Sequence, residues 1–394
     1  MPAEIVPFTC AIPDSALHDL ADRLDRTRYP DQLEGADWDY GTELNYLREL
    51  CDYWRDRYDW REAEAKFNAY PQFITQAQGE QLHFYHVRSP EPDALPLIVT
   101  HGWPGSVAEF LEVIGPLSDP VAHGGDAGDA FHVVMPSIPG YGFSGPTRHR
   151  GFDCRRAAMA NVELMQRLNY KGYIAQGGDW GSAISSWMAI FDEPNIRALH
   201  INLISGGPAD PANPLKGLTQ DELAYVEWKR DYDLHETAYQ VIQGTKPQSL
   251  AYGLTDSPSG LAAWIVEKFR RWSDCDGDVE RAFTKDRLLD NVMLYWLTGT
   301  INSANRMYYE SMGPGRFTPL PRRVEVPTGH ARYPAEIRRT PRTWAERDYN
   351  IVDWQVMSKG GHFAAMEQPH AFVDEIRRFA RAFRPVHKSR GTSL

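Results

Sequence analysis

Several features are scarce in this chain, and each scarcity removes a class of function. Nowhere do roughly 18 apolar residues run together, the length a helix needs to cross a bilayer. The N-terminus also lacks the charged-then-apolar layout of a secretory leader, so no membrane partner is expected. The four cysteines, Cys10, Cys51, Cys154 and Cys275, are scattered without C-x-x-C spacing. They indicate neither a zinc site nor a disulfide framework, and a reducing, cytoplasmic compartment fits them. There is no Lys/Arg block, and the formal net charge is -11. That excludes the concentrated basic face nucleic-acid binding requires and points to a neutral or small ligand. Internal repeats and low-complexity tracts are missing too.

What is present is ordinary globular material. The 394 residues are 42% hydrophobic and 12% aromatic, enough to fill a sizeable core in two to three structural units. Arg carries far more of the basic charge than Lys, a compositional hint of a GC-rich, bacterial coding sequence. The first 90 or so residues read as helical: Leu17, Leu20 and Leu24 share a face after Pro13-Asp14-Ser15, and Leu44, Leu47, Cys51 and Trp54 repeat the pattern after Thr42. From residue 82 the period changes. Short apolar or alternating runs, Leu82–Val87, Leu97–Val99, Phe131–Met135, Gly172–Gln176, Leu199–Ile204, Val324–Val326 and Ile351–Met357, alternate with loops and helical stretches, as in an α/β sheet. Between about Gly207 and Leu320 the strand signal vanishes into a helical segment dense in aromatics, which reads as a lid. The expected organisation is an α/β fold divided at residues 1–90 (N-terminal helical segment), 91–207 (first part of the core), 208–320 (helical lid) and 321–394 (second part of the core).

The strongest local signal is Gly177-Gly178-Asp179-Trp180-Gly181, which follows an apolar strand and precedes the helix-compatible run Ser182–Phe191. A nucleophile on a sharp strand-to-helix turn needs small neighbours, and small residues stand on both sides. Asp holds the place that Ser takes in a G-x-S-x-G elbow, a motif found nowhere in the chain. The exchange carries chemistry. A serine that attacked a saturated carbon would leave an ether, which a general base and water do not cleave; a carboxylate leaves an ester, which they do. The pattern therefore points to epoxides or haloalkanes rather than carboxylic esters. Taken alone, Asp179 reads equally well as the N-cap of the following helix.

Two further segments complete a hydrolytic set. Leu97–Val99 ends in His101-Gly102-Trp103-Pro104-Gly105-Ser106, a loop suited to presenting the Trp103 N–H, with that of Trp180, as an oxyanion hole. His101 itself is read as structural. Lys359-Gly360-Gly361-His362-Phe363, just past the last strand, supplies a general base in the expected chain order. His200 opens a core strand, and His370 and His387 lie in the C-terminal helical region, so none ends a strand in a Gly-flanked loop. The acid that orients His362 belongs on a loop after an earlier strand, where Glu336 stands ten residues beyond Val326; Asp348 and Asp353 compete. Gly140-Tyr141-Gly142-Phe143-Ser144-Gly145 matches G-x-G-x-x-G, yet Pro139 and Pro146 bracket it and no helix opens at Gly145. It reads as a rigid turn, and no cofactor or metal is expected.

With these residues in place, the sequence resembles the microsomal-type epoxide hydrolases over nearly its whole length. The resemblance rests on His101–Ser106, Gly177–Gly181, Gly253-Leu254-Thr255-Asp256-Ser257-Pro258 and Gly360-Gly361-His362-Phe363-Ala364-Ala365. It implies an α/β-hydrolase core sheet with a helical lid insertion, an N-terminal segment wrapping core and lid, Asp179 as nucleophile, His362 as base, and Glu336, in Tyr333-Pro334-Ala335-Glu336, as acid. It also implies two lid tyrosines, which composition does not single out: Tyr239, before Gln240–Pro247, and Tyr308, in Arg306–Glu310, with Tyr309 as the fallback. The microsomal membrane anchor has no counterpart here, and the chain is similar to soluble bacterial relatives, including tailoring enzymes of enediyne antibiotic pathways. The expected activity is conversion of a small-molecule epoxide to a vicinal diol, in secondary metabolism or detoxification, with a homodimer as an assembly open to the chain. A haloalkane dehalogenase shares the Asp elbow, and a non-catalytic ligand-binding relative would not need the full set of nucleophile, base and acid.

Overall fold

The apolar runs become the strands of one sheet. The computed structural model describes residues 3–208, 210–313 and 319–384, and among them nine strands pair in the order β1-β2-β3-β5-β4-β6-β7-β8-β9. They are β1 (Val6–Phe8), β2 (Gln72–Ala77), β3 (Glu80–Val87), β4 (Leu95–Thr100), β5 (Phe131–Pro136), β6 (Tyr173–Gly177), β7 (Ile196–Ile201), β8 (Val324–Arg332) and β9 (Tyr349–Val356). Strands β1, β2, β3 and β5 pair antiparallel, and from β5 to β9 every pairing is parallel. The central strands are buried on both faces, with Leu97, Ile98, Val99, Val133, Val134 and Met135 fully enclosed. This is why they read as unbroken apolar runs instead of alternating ones. Chain direction across the sheet reverses at β4, which has β5 on one side and β6 on the other. Ligands of open parallel sheets gather at the strand C-termini beside such a reversal.

The structure departs from the sequence reading in three places. One is β7, which begins three residues before Leu199 and ends three before Ile204. His200 therefore stands next to its end instead of opening it, because the buried run continues past the strand into the loop. Strands β1 and β2 lie in the N-terminal region, where helical periodicity alone was visible. β1 has only three residues, and β2 is joined to β3 by a two-residue turn, Gln78-Gly79, with both residues at positive φ (52° and 81°). That turn is a hairpin signal of the Asn-Gly kind with Gln in the first place. β8 also continues six residues past Val326, through an irregularity at Pro327. The loop bearing Glu336 is therefore shorter than the apolar run implied. Its Pro and Gly, residues that usually end strands, hid the extension.

Helices α1 (Asp14–Asp25), α2 (Leu44–Asp56) and α3 (Trp60–Phe67) precede β2; α4 (Leu111–Ser118) precedes β5, α5 (Cys154–Arg167) precedes β6 and α6 (Trp180–Phe191) follows it. Among the described residues, six α-helices fill the interval between β7 and β8: α7 (Gln220–Glu236), α8 (Ala238–Thr245), α9 (Pro247–Asp256), α10 (Pro258–Trp272), α11 (Lys285–Thr298) and α12 (Ile301–Met312). Among the described residues, none is long and apolar enough to cross a membrane. His387 lies outside the described residues.

α2 is capped by the Glu43 carboxylate on the Asn45 and Tyr46 N–H groups and buries Leu47, Leu50, Cys51 and Trp54. The last of these reaches the six-helix insertion, where Trp54 Nε1 lies 3.3 Å from Met293 Sδ. The Tyr53 and Tyr58 hydroxyls add hydrogen bonds of 2.8 Å to Asp286 and Asp290 on α11. The N-terminal helices thus fasten the insertion from outside. Trp54→Ala is expected to destabilise the chain by about 3–5 kcal/mol, the usual cost of truncating a buried tryptophan. The denaturant midpoint measures it.

Candidate active site

β6 ends at Gly177 and α6 begins at Trp180, which leaves Gly178 and Asp179 to turn the chain. The turn is tight. A Cβ on Gly177 would lie 2.1 Å from the Gly181 carbonyl oxygen, and one on Gly181 would lie 1.9 Å from that of Thr100. Asp179 sits at φ 48°, ψ -125°, a conformation that costs a non-glycine residue of order 1–3 kcal/mol. Its side chain makes no capping hydrogen bond to α6, so the capping reading does not describe it. The carboxylate instead accepts the Trp103 N–H at 2.8 Å, across the gap between the β4 and β6 loops. Trp180 opens α6, and the N–H groups of a helix's first turn have no acceptor within the helix.

His362 faces this carboxylate, with Nε2 3.4 Å from Asp179 Oδ2. Its Nδ1 lies 2.8 Å from Glu336 Oε1, which also accepts the Ile337 N–H at 2.7 Å. Nucleophile, base and acid candidates therefore stand in one row. Of the competing acids, Asp348 pairs with its neighbour Arg347, and Asp353 is bound by Arg378. His362 is held largely by the helical insertion: its backbone N–H donates to the Trp272 carbonyl at 2.9 Å, and the Trp272 ring meets the imidazole edge-on at 4.9 Å. Glu367 ties the same loop down by accepting N–H groups from Phe363 and Asp274. Burial works against a charge on His362, but Glu336 on one side and Asp179 on the other more than offset it. Together they hold its pKa well above the ordinary histidine value.

Tyr239 on α8 and Tyr308 on α12 are buried side by side, with ring centroids 5.8 Å apart. Tyr239 stacks on Trp103 at 5.2 Å, and Tyr308 meets Trp180 edge-on at 4.9 Å, so each rests on a tryptophan whose backbone N–H is an oxyanion-hole candidate. Burial raises both phenols above the ordinary tyrosine pKa, and the Asp179 charge raises them further. They stay protonated and able to donate. Asp179, Trp180, Tyr239 and Tyr308 share the wall of a cavity of about 1020 Å³; Tyr309, the fallback, is not among its wall residues.

His101 is fully enclosed, and burial lowers its pKa to about 4. Its Nε2 accepts the Ile138 N–H at 3.1 Å, so it joins the β4 and β5 loops. The turn at Gly140 closes through a 3.0 Å bond from its N–H to the Gly145 carbonyl, and its Gly142 N–H donates to Thr300. No helix follows it until α5. Among the described residues, no group of three or more His, Cys, Asp or Glu could hold a metal.

Sequence reasoning passed over three polar residues beside Asp179: Glu109, Gln176 and Asn202. Ser106-Val107-Ala108-Glu109 has the form of a helix-capping box, which gives Glu109 a bland explanation. Gln176 and Asn202 lie at the ends of core strands, where nothing in the spacing marks them.

Comparison with known proteins follows this geometry. A family model described as the epoxide hydrolase N terminus matches residues 5–110, and one described as the alpha/beta hydrolase fold matches residues 96–243. A putative epoxide hydrolase of Stigmatella aurantiaca is 44% identical over 381 residues, covering 96% of this chain and 86% of that protein. Epoxide hydrolase 1 of Sus scrofa is 38% identical, over 95% of this chain and 88% of that protein. The crystal structure of juvenile hormone epoxide hydrolase from the silkworm Bombyx mori superposes with a TM-score of 0.88 at 32% identity, covering 97% and 95% of the two chains. The Aspergillus niger epoxide hydrolase structure gives 0.85 at 30% identity, covering 96% and 97%.

The strain at Asp179 generates a prediction. Asp179→Gly removes about 1–3 kcal/mol of backbone strain and loses a charge-assisted hydrogen bond worth about 1.5–3 kcal/mol together with the ion pair to His362. The gain and the loss nearly cancel, so the variant is expected to be inactive and to melt close to the parent by thermal denaturation.

Proposed function

Because this chain belongs to the epoxide hydrolase family and converts epoxides to vicinal diols, we propose that it does so in two steps through an ester on Asp179, with Glu336 and His362 hydrolysing that ester. The observation that carries this reading is the row Glu336–His362–Asp179, with the carboxylate of Asp179 free of α6 and facing both the imidazole and the large cavity.

In the first step an Asp179 oxygen forms a bond to one epoxide carbon, and the C–O bond to the ring oxygen breaks. A phenol proton from Tyr239 or Tyr308 passes to that oxygen, leaving a hydroxyl and a tyrosinate. In the second step water attacks the carboxyl carbon of the ester and gives a proton to His362 Nε2. The resulting oxyanion is stabilised by the Trp103 and Trp180 N–H groups. Collapse breaks the bond to the alkyl oxygen, which takes the proton from His362 and leaves as the second hydroxyl. The carboxylic acid regenerated at Asp179 gives its proton, through His362 and solvent, back to the tyrosinate. Ester formation removes the negative charge of Asp179, one of the two that favour imidazolium. His362 thus releases its own proton to solvent more readily and is neutral, able to take a proton from water, at the stage when a base is needed. The six-helix insertion serves as the lid that supplies the phenols, and the four free thiols support a reducing, cytoplasmic setting.

Asp179→Asn is expected to abolish turnover while keeping the fold, and a single turnover in heavy-oxygen water should place the isotope in the Asp179 side chain. Label found directly in the diol would overturn the covalent reading. Tyr239→Phe and Tyr308→Phe are each expected to slow ester formation by about 10²–10³, the usual cost of losing one oxyanion donor, with ester hydrolysis unchanged in stopped-flow traces. Glu336 raises the His362 pKa, so Glu336→Gln lowers it and keeps the imidazole neutral to lower pH. The acid limb of ester hydrolysis should therefore move to lower pH even though the step is slower; a shift to higher pH would contradict the assignment.

A further inference from the structure

Behind the nucleophile lies a second, small cavity of about 20 Å³ whose polar wall includes Glu109, Gln176, Asn202, Asp179 and His362. Among the described residues, Asp179 is the one common to the walls of both cavities. The small one has room for about a single water molecule and no more. Two buried atoms on its wall make no well-formed hydrogen bond among the described residues: Gln176 Oε1, and His362 Nε2, which has only the long 3.4 Å contact to Asp179. The Gln176 amide is oriented by its other end, where Nε2 donates to Asn202 Oδ1 at 2.9 Å, so Oε1 is an acceptor aimed elsewhere.

Glu109 completes the set. It lies on the short turn Val107–Phe110, and its carboxyl fills the space above Gly105, where an added Cβ would come within 1.7 Å of Oε1. Burial raises its pKa to about 8, with His362 opposing the shift and the negative charges of Asp179 and Glu367 adding to it; the Ser106 backbone N–H binds it weakly. It is therefore an acid with a proton to donate at neutral pH, and it adds no charge beside the site of the oxyanion.

Resting on the two-step reading above, we propose that Glu109 and Gln176 hold the water that hydrolyses the Asp179 ester. The water gives one proton to His362 Nε2, directs the other at Gln176 Oε1, accepts a hydrogen bond from the neutral Glu109 carboxyl, and keeps its remaining lone pair for the carboxyl carbon of Asp179. Substrate enters from the large cavity and water waits in the small one, so the two never compete for the same space. Glu109 donates a hydrogen bond and takes no proton, which leaves the balance of the hydrolytic step unchanged.

The test separates the two half-reactions by stopped-flow fluorescence with an epoxide that accumulates the ester. Glu109→Leu should slow ester hydrolysis about tenfold or more, the rate equivalent of one hydrogen bond, and leave ester formation within about twofold. Glu109→Gln keeps a neutral donor of the same shape and should restore most of the hydrolysis rate. A purely structural Glu109, capping its turn, would slow both steps together through the Trp103 loop, and that outcome overturns the proposal. So does an unchanged hydrolysis rate in Glu109→Leu, or a Gln variant as slow as the Leu variant. Should Glu109→Leu fail to fold, Gln176→Met tests the same water from its acceptor side and should show the same selective slowing; equal slowing of both steps there overturns the proposal too. If wild-type enzyme forms no ester in this assay, the two-step reading itself falls; an ester whose hydrolysis ignores both residues removes only the water site.

Discussion

At the C-terminal ends of β4 and β6 the backbone passes so close to itself that side chains are shut out at Gly177 and Gly181. This contact brings Asp179 to the Trp103 N–H and turns a residue that could have capped a helix into one that projects from it. The strained φ and ψ of Asp179 persist because the surrounding sheet over-determines them. Loosening the contact would relax the elbow and separate the carboxylate from its N–H donor, and the relation of both to His362 would be lost with it.

Around that contact the molecule sorts several buried carboxyl groups by environment. Glu336 is bound by an imidazole and a backbone N–H, and acts on His362 as a negative charge. Glu367 accepts two backbone N–H groups and fastens the loop that carries His362. Glu109, with burial outweighing its weak backbone bond, is raised to about 8 and is neutral near physiological pH. In the two-step reading proposed above, the same functional group serves as nucleophile, charge partner, structural acceptor or hydrogen-bond donor according to what surrounds it. The imidazole integrates them. It is flanked by carboxylates on both sides, Glu336 at Nδ1 and Asp179 at Nε2.

The helical insertion does more than cover the sheet. It carries both phenols, contributes the Trp272 carbonyl and ring that seat His362, and is in turn fastened by the N-terminal helices through Trp54, Tyr53 and Tyr58. The tyrosines rest on Trp103 and Trp180, so the two phenols and the two candidate oxyanion-hole N–H groups are registered against each other by aromatic packing. Damage far out on the N-terminal helices therefore has a physical route to the chemistry.

The sequence by itself determined the parts that depend on local chemistry and period. Both-face burial made the strands from β3 onward legible as apolar runs, and the small residues around Asp179 and His362 marked turns where a side chain must stand clear of the backbone. Glu336 was narrower: spacing left Asp348 and Asp353 in competition, and the family resemblance favoured it, but only folding showed that those two are tied up by Arg347 and Arg378 while Glu336 reaches the imidazole. Tyr239 and Tyr308 were legible through resemblance alone, because nothing in a list of aromatics says which ones meet over a distant carboxylate. The pair β1 and β2, the length of β8 and the cavity behind Asp179 were decided by tertiary structure. A three-residue edge strand has no periodicity to read, a Pro inside a strand breaks the pattern that would reveal it, and a cavity lined from β4, β6, β7 and the loop after β9 exists only once strands far apart in the chain are neighbours in space.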